Sequence, residues 1–124
     1  MDGFEFFHGS TREFITDVLP MLGLIELAFV DADHRHAAST SDCESLLLHI
    51  ANDGLLLLHD TYPESAEWLG DNRCSDSYRT ANLIFNKATE YGIESVTLPT
   101  PPGLTIVRKR IRQVHWLDEM KASV

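Results

Sequence analysis

Blocks of apolar residues with two different spacings alternate along the chain. The aromatic run at residues 4–7 is short and predicts a strand, and the mostly apolar run at 24–30 is typical of a strand buried on both faces. Between them, apolar residues recur at helical spacing as far as Gly23, and Ser10 with Glu13 forms a capping box at the start of that run. This part of the chain therefore predicts a strand, a helix and a second strand.

The rest of the chain continues the alternation. A second capping box, Ser41 with Glu44, predicts a helix of about three turns. A turn signal at 52–54 separates this helix from the leucine-rich run at 55–60, which predicts a third strand. Residues 61–76 predict a loop with one helical turn, and residues 78–91 predict a helix. Two strands follow at 93–98 and 104–110, joined by a proline-rich turn, and the segment around Trp116 predicts a short tail helix.

The order of these blocks determines the fold class. Strands that alternate with helices are typical of a parallel α/β sheet, and the final two strands, with only a short turn between them, are expected to pair antiparallel. We therefore predict a single α/β domain over residues 1–124, with a mainly parallel sheet and an antiparallel C-terminal strand. A length of 124 residues suits one domain with a modest core.

Composition and charge narrow the possible functions. The formal net charge of −9 leaves little to neutralise a phosphate backbone, so no nucleic-acid partner is expected. No apolar run is long enough to span a membrane, and no signal peptide is recognisable, so neither a membrane nor secretion is expected. Two cysteines, Cys43 and Cys74, do not make a disulfide framework. We expect reduced thiols and a cytoplasmic location.

The two apolar strands at 24–30 and 55–60 both end in acidic and imidazole groups. Asp31, Asp33 and His34 follow the first of them, and His59 and Asp60 end the second. In open parallel sheets ligands bind beyond the carboxyl ends of the strands, and neighbouring strands lie about 4.8 Å apart. Such groups at one rim could share a divalent cation such as Mg²⁺ or Mn²⁺. Acidic residues after a strand also cap helices or solvate loops, so both interpretations remain open.

The residues carry a family resemblance. The stretches "FEFFHGSTREFI", "FVDADH", "LLLLHDTY" and "GLTIVRKR" together resemble the C-terminal half of class I S-adenosylmethionine-dependent methyltransferases. The similar branch contains metal-dependent sugar and catechol O-methyltransferases and the cephalosporin hydroxylase-like proteins. The resemblance covers about residues 4 to 110, and it implies a Rossmann-like fold that begins at the third strand of the family.

The resemblance also implies roles for the residues at the strand ends. Asp31, His59 and Asp60 match the residues that hold a divalent metal in the metal-dependent members. His34 matches a histidine proposed as the general base toward a substrate hydroxyl. The implied reaction is methyl transfer to a hydroxyl of a small molecule or sugar, with the metal positioning the oxygen and lowering its pKa.

Cofactor binding is implied by a different set of residues. Gly9 and Ser10 match the turn beside the adenine of S-adenosylmethionine, and Asp33 is placed to orient the cofactor or the metal. The family's glycine-rich turn, which holds the methionine part of the cofactor, has no match in the sequence. The resemblance therefore implies a truncated fold whose exposed sheet is covered by a second copy of the chain or by a separate partner chain.

Two other functions stay open at this point. A non-catalytic methyltransferase homologue could serve as a subunit or interaction protein, since the glycine-rich turn is missing. A metal-dependent hydrolase could use the same rim of carboxylates and imidazoles without S-adenosylmethionine. The substrate itself is not specified, although the aromatic residues Tyr62, Trp68 and Tyr78 are candidates to contact it.

Overall fold

A four-stranded sheet forms the centre of the protein. The computed structural model describes residues 3–70 and 73–110. The strands are β1 (Ile25–Val30), β2 (Ile50–His59), β3 (Ile93–Leu98) and β4 (Leu104–Lys109), in the spatial order β1-β2-β4-β3. β1 and β2 are parallel, and β4 is antiparallel to both β2 and β3. Three strands therefore run one way and the C-terminal strand runs the other, which confirms the predicted fold class.

The first helical segment begins where the capping box predicts. Its parts are α1 (Thr11–Glu13), a π-helical turn (Phe14–Val18) and α2 (Leu19–Leu22). The Ser10 hydroxyl accepts a hydrogen bond from the Glu13 N–H at 3.1 Å, so it satisfies a donor that the first turn leaves free. Gly23, with φ 72°, takes up the conformation that ends the segment.

The second capping box is not used, and that prediction is wrong. The helix α3 (His36–Leu47) begins before Ser41, so Ser41 and Glu44 both lie inside it. Its cap comes from another part of the chain, because the Asp76 carboxylate accepts a hydrogen bond from the His36 N–H at 2.6 Å. A tertiary cap of this kind leaves no local pattern in the sequence. The remaining helices are a 3-10 turn (Ala66–Leu69), α4 (Ser77–Asn86) and α5 (Ala88–Tyr91), which ends at the left-handed Gly92.

The turn predicted at 52–54 is instead a bulge inside β2. Ile25 pairs with Ile50 and Leu27 pairs with Leu55, so extra residues of β2 are accommodated between these two pairs. Asp53 adopts φ 64°, and a Cβ atom on Gly54 would lie only 2.8 Å from the Ala51 carbonyl oxygen. The same residue types favour turns and bulges, which explains why β2 is longer than its sequence pattern predicts.

The strand predicted at 4–7 does not form in the described chain, where this segment has no regular secondary structure and pairs with no strand. Extended residues become a strand only when another strand satisfies their backbone groups. Phe4 and Phe6 are exposed, and Phe7 packs on Phe14 with ring centroids 5.8 Å apart. The tail helix predicted around Trp116 lies outside the described residues.

The sheet has one covered face and one open face. The paired core residues Leu56 and Val107 are fully buried and lie under the helices. On the opposite face, cross-strand pairing aligns an apolar row that ends in exposed side chains at both edges of the sheet: Phe29, Leu57, Ile106 and Val96. Together with the exposed Leu27 and Leu98, this row is called the open face below. Cys43 and Cys74 are both free and buried.

Candidate metal and cofactor site

The two strand ends meet at one edge of the sheet. β1 ends at Val30, which pairs with Leu58 of the parallel neighbour β2. Asp31 therefore leaves the sheet beside His59 and Asp60. Asp60 has φ 63°, in the left-handed region that aspartate tolerates better than most residues, and its N–H donates to the Gly103 carbonyl at 3.1 Å.

Four of the predicted site residues converge there; this cluster of Asp31, His34, His59 and Asp60 is called the rim below. His34 Nε2 lies 2.7 Å from Asp60 Oδ2 and 3.2 Å from Asp31 Oδ1. His59 Nδ1 lies 3.1 Å from the same Asp60 oxygen and 3.4 Å from the same Asp31 oxygen. One ligand atom each from Asp31, His34 and Asp60 fall within 4.8 Å of one another, a separation compatible with a shared metal ion.

The tautomer of His34 follows from its partners. Its Nδ1 is in hydrogen-bond contact with the backbone carbonyl oxygen of Arg73. A carbonyl oxygen only accepts, so Nδ1 carries a proton. In the neutral ring Nε2 then presents a lone pair to the oxygens of Asp31 and Asp60. That arrangement is favourable only when a proton or a metal cation lies between the nitrogen and the carboxylates.

The electrostatics of the rim agree with this geometry. Burial lowers the pKa of His34, but the hydrogen bond to Arg73 and the charges of Asp31 and Asp60 outweigh it, so the pKa lies above its ordinary value of 6.5. Both carboxylates therefore attract positive charge to Nε2. A divalent cation would supply the same compensation and would displace the proton from the ring.

His59 contributes an atom that lacks a hydrogen bond. Its Nδ1 is buried and has no hydrogen-bond partner among the described residues, although both rim carboxylates are near it. Buried polar atoms are rarely left unsatisfied, and such exceptions point to a strained or ligand-binding group. The ring also packs against Phe29 at 6.0 Å between centroids, which places His59 on the same side of the sheet as the open face.

Asp33 is the one acidic residue of this group that the structure places elsewhere. Its carboxylate accepts hydrogen bonds from the Arg35 backbone and guanidinium groups. These bonds lower the pKa of Asp33 to about 2. The Asp33 side chain thus stabilises its own loop, which is one of the two interpretations that the sequence left open for acidic residues after a strand.

The predicted cofactor residues Gly9 and Ser10 line a cleft of about 540 Å³ along the β1 edge. Asp31 and the apolar side chains of Phe14 and Phe29 line the same cleft. The volume is within the range of small-molecule sites, which are mostly apolar with a few polar groups. Ser10 uses its hydroxyl as the helix cap, so its side chain is already engaged.

The sequence pattern did not identify the individual contacts that residues 73–77 make with the rim. The Cys74 thiol donates to Asp60 Oδ1 across 3.7 Å, and burial, aided by the Asp60 charge, raises the pKa of this thiol to about 11. The Ser77 hydroxyl donates to the His34 carbonyl at 2.7 Å. Cys74 and Ser77 contact residues far from them in the chain, and these contacts have no characteristic spacing in the sequence. No single-sequence signal identifies them.

A second cleft, of about 360 Å³, lies beyond the end of β2. Two of the predicted aromatic contacts, Tyr62 and Tyr78, line it together with Thr61 and Asn82. The third, Trp68, instead lies under the guanidinium of Arg73 at 5.2 Å.

Fold and site together define an α/β protein of the Rossmann-like class, with β4 inserted antiparallel between β2 and β3 and polar groups at the ends of two parallel strands. Residues 2–61 match the family model of a methyltransferase domain. The chain has a fold similar to that of the class I S-adenosylmethionine-dependent methyltransferases.

Solved structures agree at the level of the fold. The chain is similar to the SAH-bound methyltransferase PaMTH1 of Podospora anserina, with a TM-score of 0.56 and 19% identity, over 78% of this chain and 46% of that chain. A protein of Streptococcus thermophilus described as a "putative hemolysin" matches at a TM-score of 0.42 and 14% identity, over 97% of this chain and 47% of that chain, too weakly to carry an argument. The chain spans about half the length of these proteins.

No curated protein matches the chain in sequence. Within residues 3–70 and 73–110, no helix is long and apolar enough to cross a membrane.

Proposed function

We propose that this chain provides the metal-binding rim and the adenine side of an S-adenosylmethionine-dependent O-methyltransferase acting on a hydroxylated small molecule or sugar. The observation that carries the proposal is the convergence of Asp31, His34 and Asp60 within 4.8 Å at the end of a cleft that Asp31 also lines. Both a cation and a cofactor could therefore reach the same carboxylate.

The donor set suits a divalent cation. Two carboxylates and an imidazole are ligands accepted by Mn²⁺, and carboxylates alone suit Mg²⁺. A cation at the rim would place a substrate hydroxyl and lower its pKa. The negative charges of Asp31 and Asp60, the lone pair of His34 Nε2 and the unsatisfied His59 Nδ1 all favour a cation there.

His34 has two candidate roles, which exclude each other at a given moment. The family resemblance makes it the base that takes the proton of the substrate hydroxyl. The alternative role of cation ligand is supported by the position of Nε2, which lies within 4.8 Å of the candidate ligand atoms of Asp31 and Asp60. With His34 as ligand, the unsatisfied His59 Nδ1 is the nearest remaining imidazole nitrogen that could accept a proton.

The cofactor would lie in the cleft along β1. Its walls combine the Gly9 turn with the aromatic rings of Phe14 and Phe29, which suits a flat, largely apolar ring such as adenine. S-adenosylmethionine would supply the methyl group. The substrate would approach the rim from the loop after β2, where Tyr62 and Tyr78 line the second cleft.

Calorimetric titration of S-adenosylmethionine into the protein, with and without Mn²⁺, tests the proposal. We expect micromolar binding that is stronger with Mn²⁺ and that weakens at least tenfold in Asp60→Ala. Asp33→Ala is the matched control, because Asp33 also follows β1 but bonds to Arg35. Absence of binding under both conditions would exclude methyl transfer by this chain alone.

The open face favours a second candidate function, that of a subunit in a larger assembly. Phe29 and Leu27 are each 57% exposed, and β1 pairs on one side only within the described residues. Apolar patches with an unpaired strand edge are usually covered by a partner. We propose that a second copy of the chain or a separate partner chain covers this face. Sedimentation as a monomer in analytical ultracentrifugation at micromolar concentration would contradict a second copy.

A further inference from the structure

The segment 73–77 contacts the rim at several points that the proposed reaction does not require. We propose that it is a clamp, a positioning segment that holds the His34 imidazole with Nδ1 protonated and Nε2 directed at Asp31 and Asp60. The effect on cation binding rests on the proposed function, whereas the clamp itself is defined by contacts of the protein alone.

The clamp fixes the ring through a backbone oxygen. Arg73 contributes its carbonyl, which accepts the proton of His34 Nδ1. This oxygen is held in place by its own turn, since the Arg73 N–H donates to Gly70 at 2.9 Å and the Cys74 N–H donates to Trp68 at 2.9 Å. The Arg73 guanidinium over the Trp68 ring adds a third restraint.

The clamp also fixes the backbone that carries the ring. The Ser77 hydroxyl donates to the His34 carbonyl at 2.7 Å, and Asp76 accepts from the His36 N–H at 2.6 Å. Ser77 is fully buried, so the bond is shielded from competing water. Ring and backbone of His34 are therefore both held by residues close together in one segment.

A second rim residue is contacted by the same segment. The Cys74 thiol donates to Asp60 Oδ1 across 3.7 Å, while the other oxygen of Asp60 faces His34 Nε2 at 2.7 Å. The clamp thus sets the position of His34 relative to Asp60. A partner that fixes the tautomer and orientation of a metal-binding histidine typically changes metal affinity 10- to 100-fold.

The first test reads the ring directly, in metal-free protein. Nitrogen-15 NMR of the imidazole, at a pH above the His34 titration, should show the Nδ1–H tautomer in the unmodified protein and a mixture of tautomers in Ser77→Ala. Ser39→Ala is the control, because Ser39 is equally buried and bonds to Thr80 at 2.6 Å, so it loses a comparable hydroxyl without releasing His34. The control should keep the Nδ1–H tautomer.

The second test measures Mn²⁺ affinity at the Asp76 position. Asp76→Ala should lower the affinity about tenfold, because the His36 N–H loses its acceptor. Asp76→Asn should restore it to within about threefold of the original, because the amide oxygen can accept the same hydrogen bond. Equal losses in both variants would mean that only the charge of Asp76 matters, and this would contradict its positioning role.

The outcomes separate the clamp from the cation site. An Nε2–H tautomer in the unmodified protein, or identical ring and affinity in Ser77→Ala and Ser39→Ala, would overturn the clamp. A ring that is Nδ1–H and is released only by Ser77→Ala supports the clamp even if Mn²⁺ does not bind. In that case the proposed cation site fails and the positioning segment stands.

Discussion

The rim and the open face lie on the same strands but are built in opposite ways. At the rim, His34 and Asp60 are each contacted by residues from a distant segment, and every distance is that of a specific polar contact. On the open face, Leu27 and Phe29 are large, apolar and 57% exposed. His34 and Asp60 both have polar protein partners, whereas the exposed side chains of the apolar row are left uncovered by the described residues.

The difference in burial between the two regions can be traced to the sequence pattern of β1. The apolar run of β1 is typical of a strand buried on both faces, and the structure buries only the side that carries Ala28 and Val30. The pattern therefore predicts burial of a second face that the described residues leave exposed. At the rim, the partners that hold His34 and Asp60 come from the segment 73–77.

The largest expected effect is on the free energy of unfolding, and it distinguishes the covered face of the sheet from the open face. Leu58→Ala, at a position only 2% exposed, should lower the free energy of unfolding by about 3 kcal/mol through lost burial and a cavity. Phe29→Ala, on the neighbouring strand, should lower it by less than about 1 kcal/mol. Urea denaturation followed by circular dichroism measures both. A comparable loss for Phe29→Ala would mean that the open face is covered in solution.

Cation affinity gives the next effect and separates the two histidines. His34→Ala should weaken Mn²⁺ binding about 100-fold, or about 2.7 kcal/mol, because Nε2 lies within the ligand cluster. His59→Ala should weaken it about tenfold, or about 1.4 kcal/mol. Titration monitored by the electron paramagnetic resonance of free Mn²⁺ gives both constants. The reverse order would restore His34 to the role of base.

A smaller effect is expected from pH in metal-free protein. The pKa of His34 is raised in the folded state by Arg73, Asp31 and Asp60, against the opposing effect of burial. Its contribution to stability is therefore complete below the ordinary pKa of 6.5 and is lost as the pH rises through the folded-state pKa. The melting temperature, measured in EDTA, should therefore fall as the pH rises through this range.

His34→Gln should remove most of that decline in stability. The glutamine does not titrate, so its melting temperature should change little over the same pH window. A slope that persists in His34→Gln would assign the effect to a group other than His34.

Much of the fold could be predicted from local sequence patterns. The strands at 24–30 and 93–98, the first helix with its Ser10 cap, and the left-handed glycine after α5 all depend on residues close in sequence. The strand directions followed because alternating strands and helices force a parallel arrangement. Each of these predictions needed only spacing, residue type and short-range geometry.

Several of the failures involve a partner distant in sequence. Asp76 caps α3, so the local box at Ser41 is unnecessary. The run at 4–7 has strand-forming residues but no strand beside it. At the rim, the strand-end rule brought Asp31, His34 and Asp60 together, while the residues that hold His34 were invisible because their contacts cross 39 or more positions. Tertiary contacts of this kind leave no periodic signal.

The smallest expected effect concerns Asp33, which the resemblance assigns to the cofactor or the metal. Its carboxylate bonds to Arg35, whose side chain is largely exposed, and Asp33 itself is partly exposed, so the pair should contribute about 0.5 kcal/mol or less. That contribution is present above the ordinary pKa of 3.8 and is lost as the pH falls toward about 2. Asp33→Asn should therefore leave unfolding at pH 7 almost unchanged.

The same variant decides whether Asp33 belongs to the rim. Its Mn²⁺ affinity should stay within twofold of the unmodified protein, because the bond to Arg35 holds the carboxylate in its own loop. A tenfold loss would mean that Asp33 leaves Arg35 when a cation binds. The loop between β1 and α3 would then rearrange with the ligand, and the contrast between a fixed rim and an incomplete open face would no longer hold.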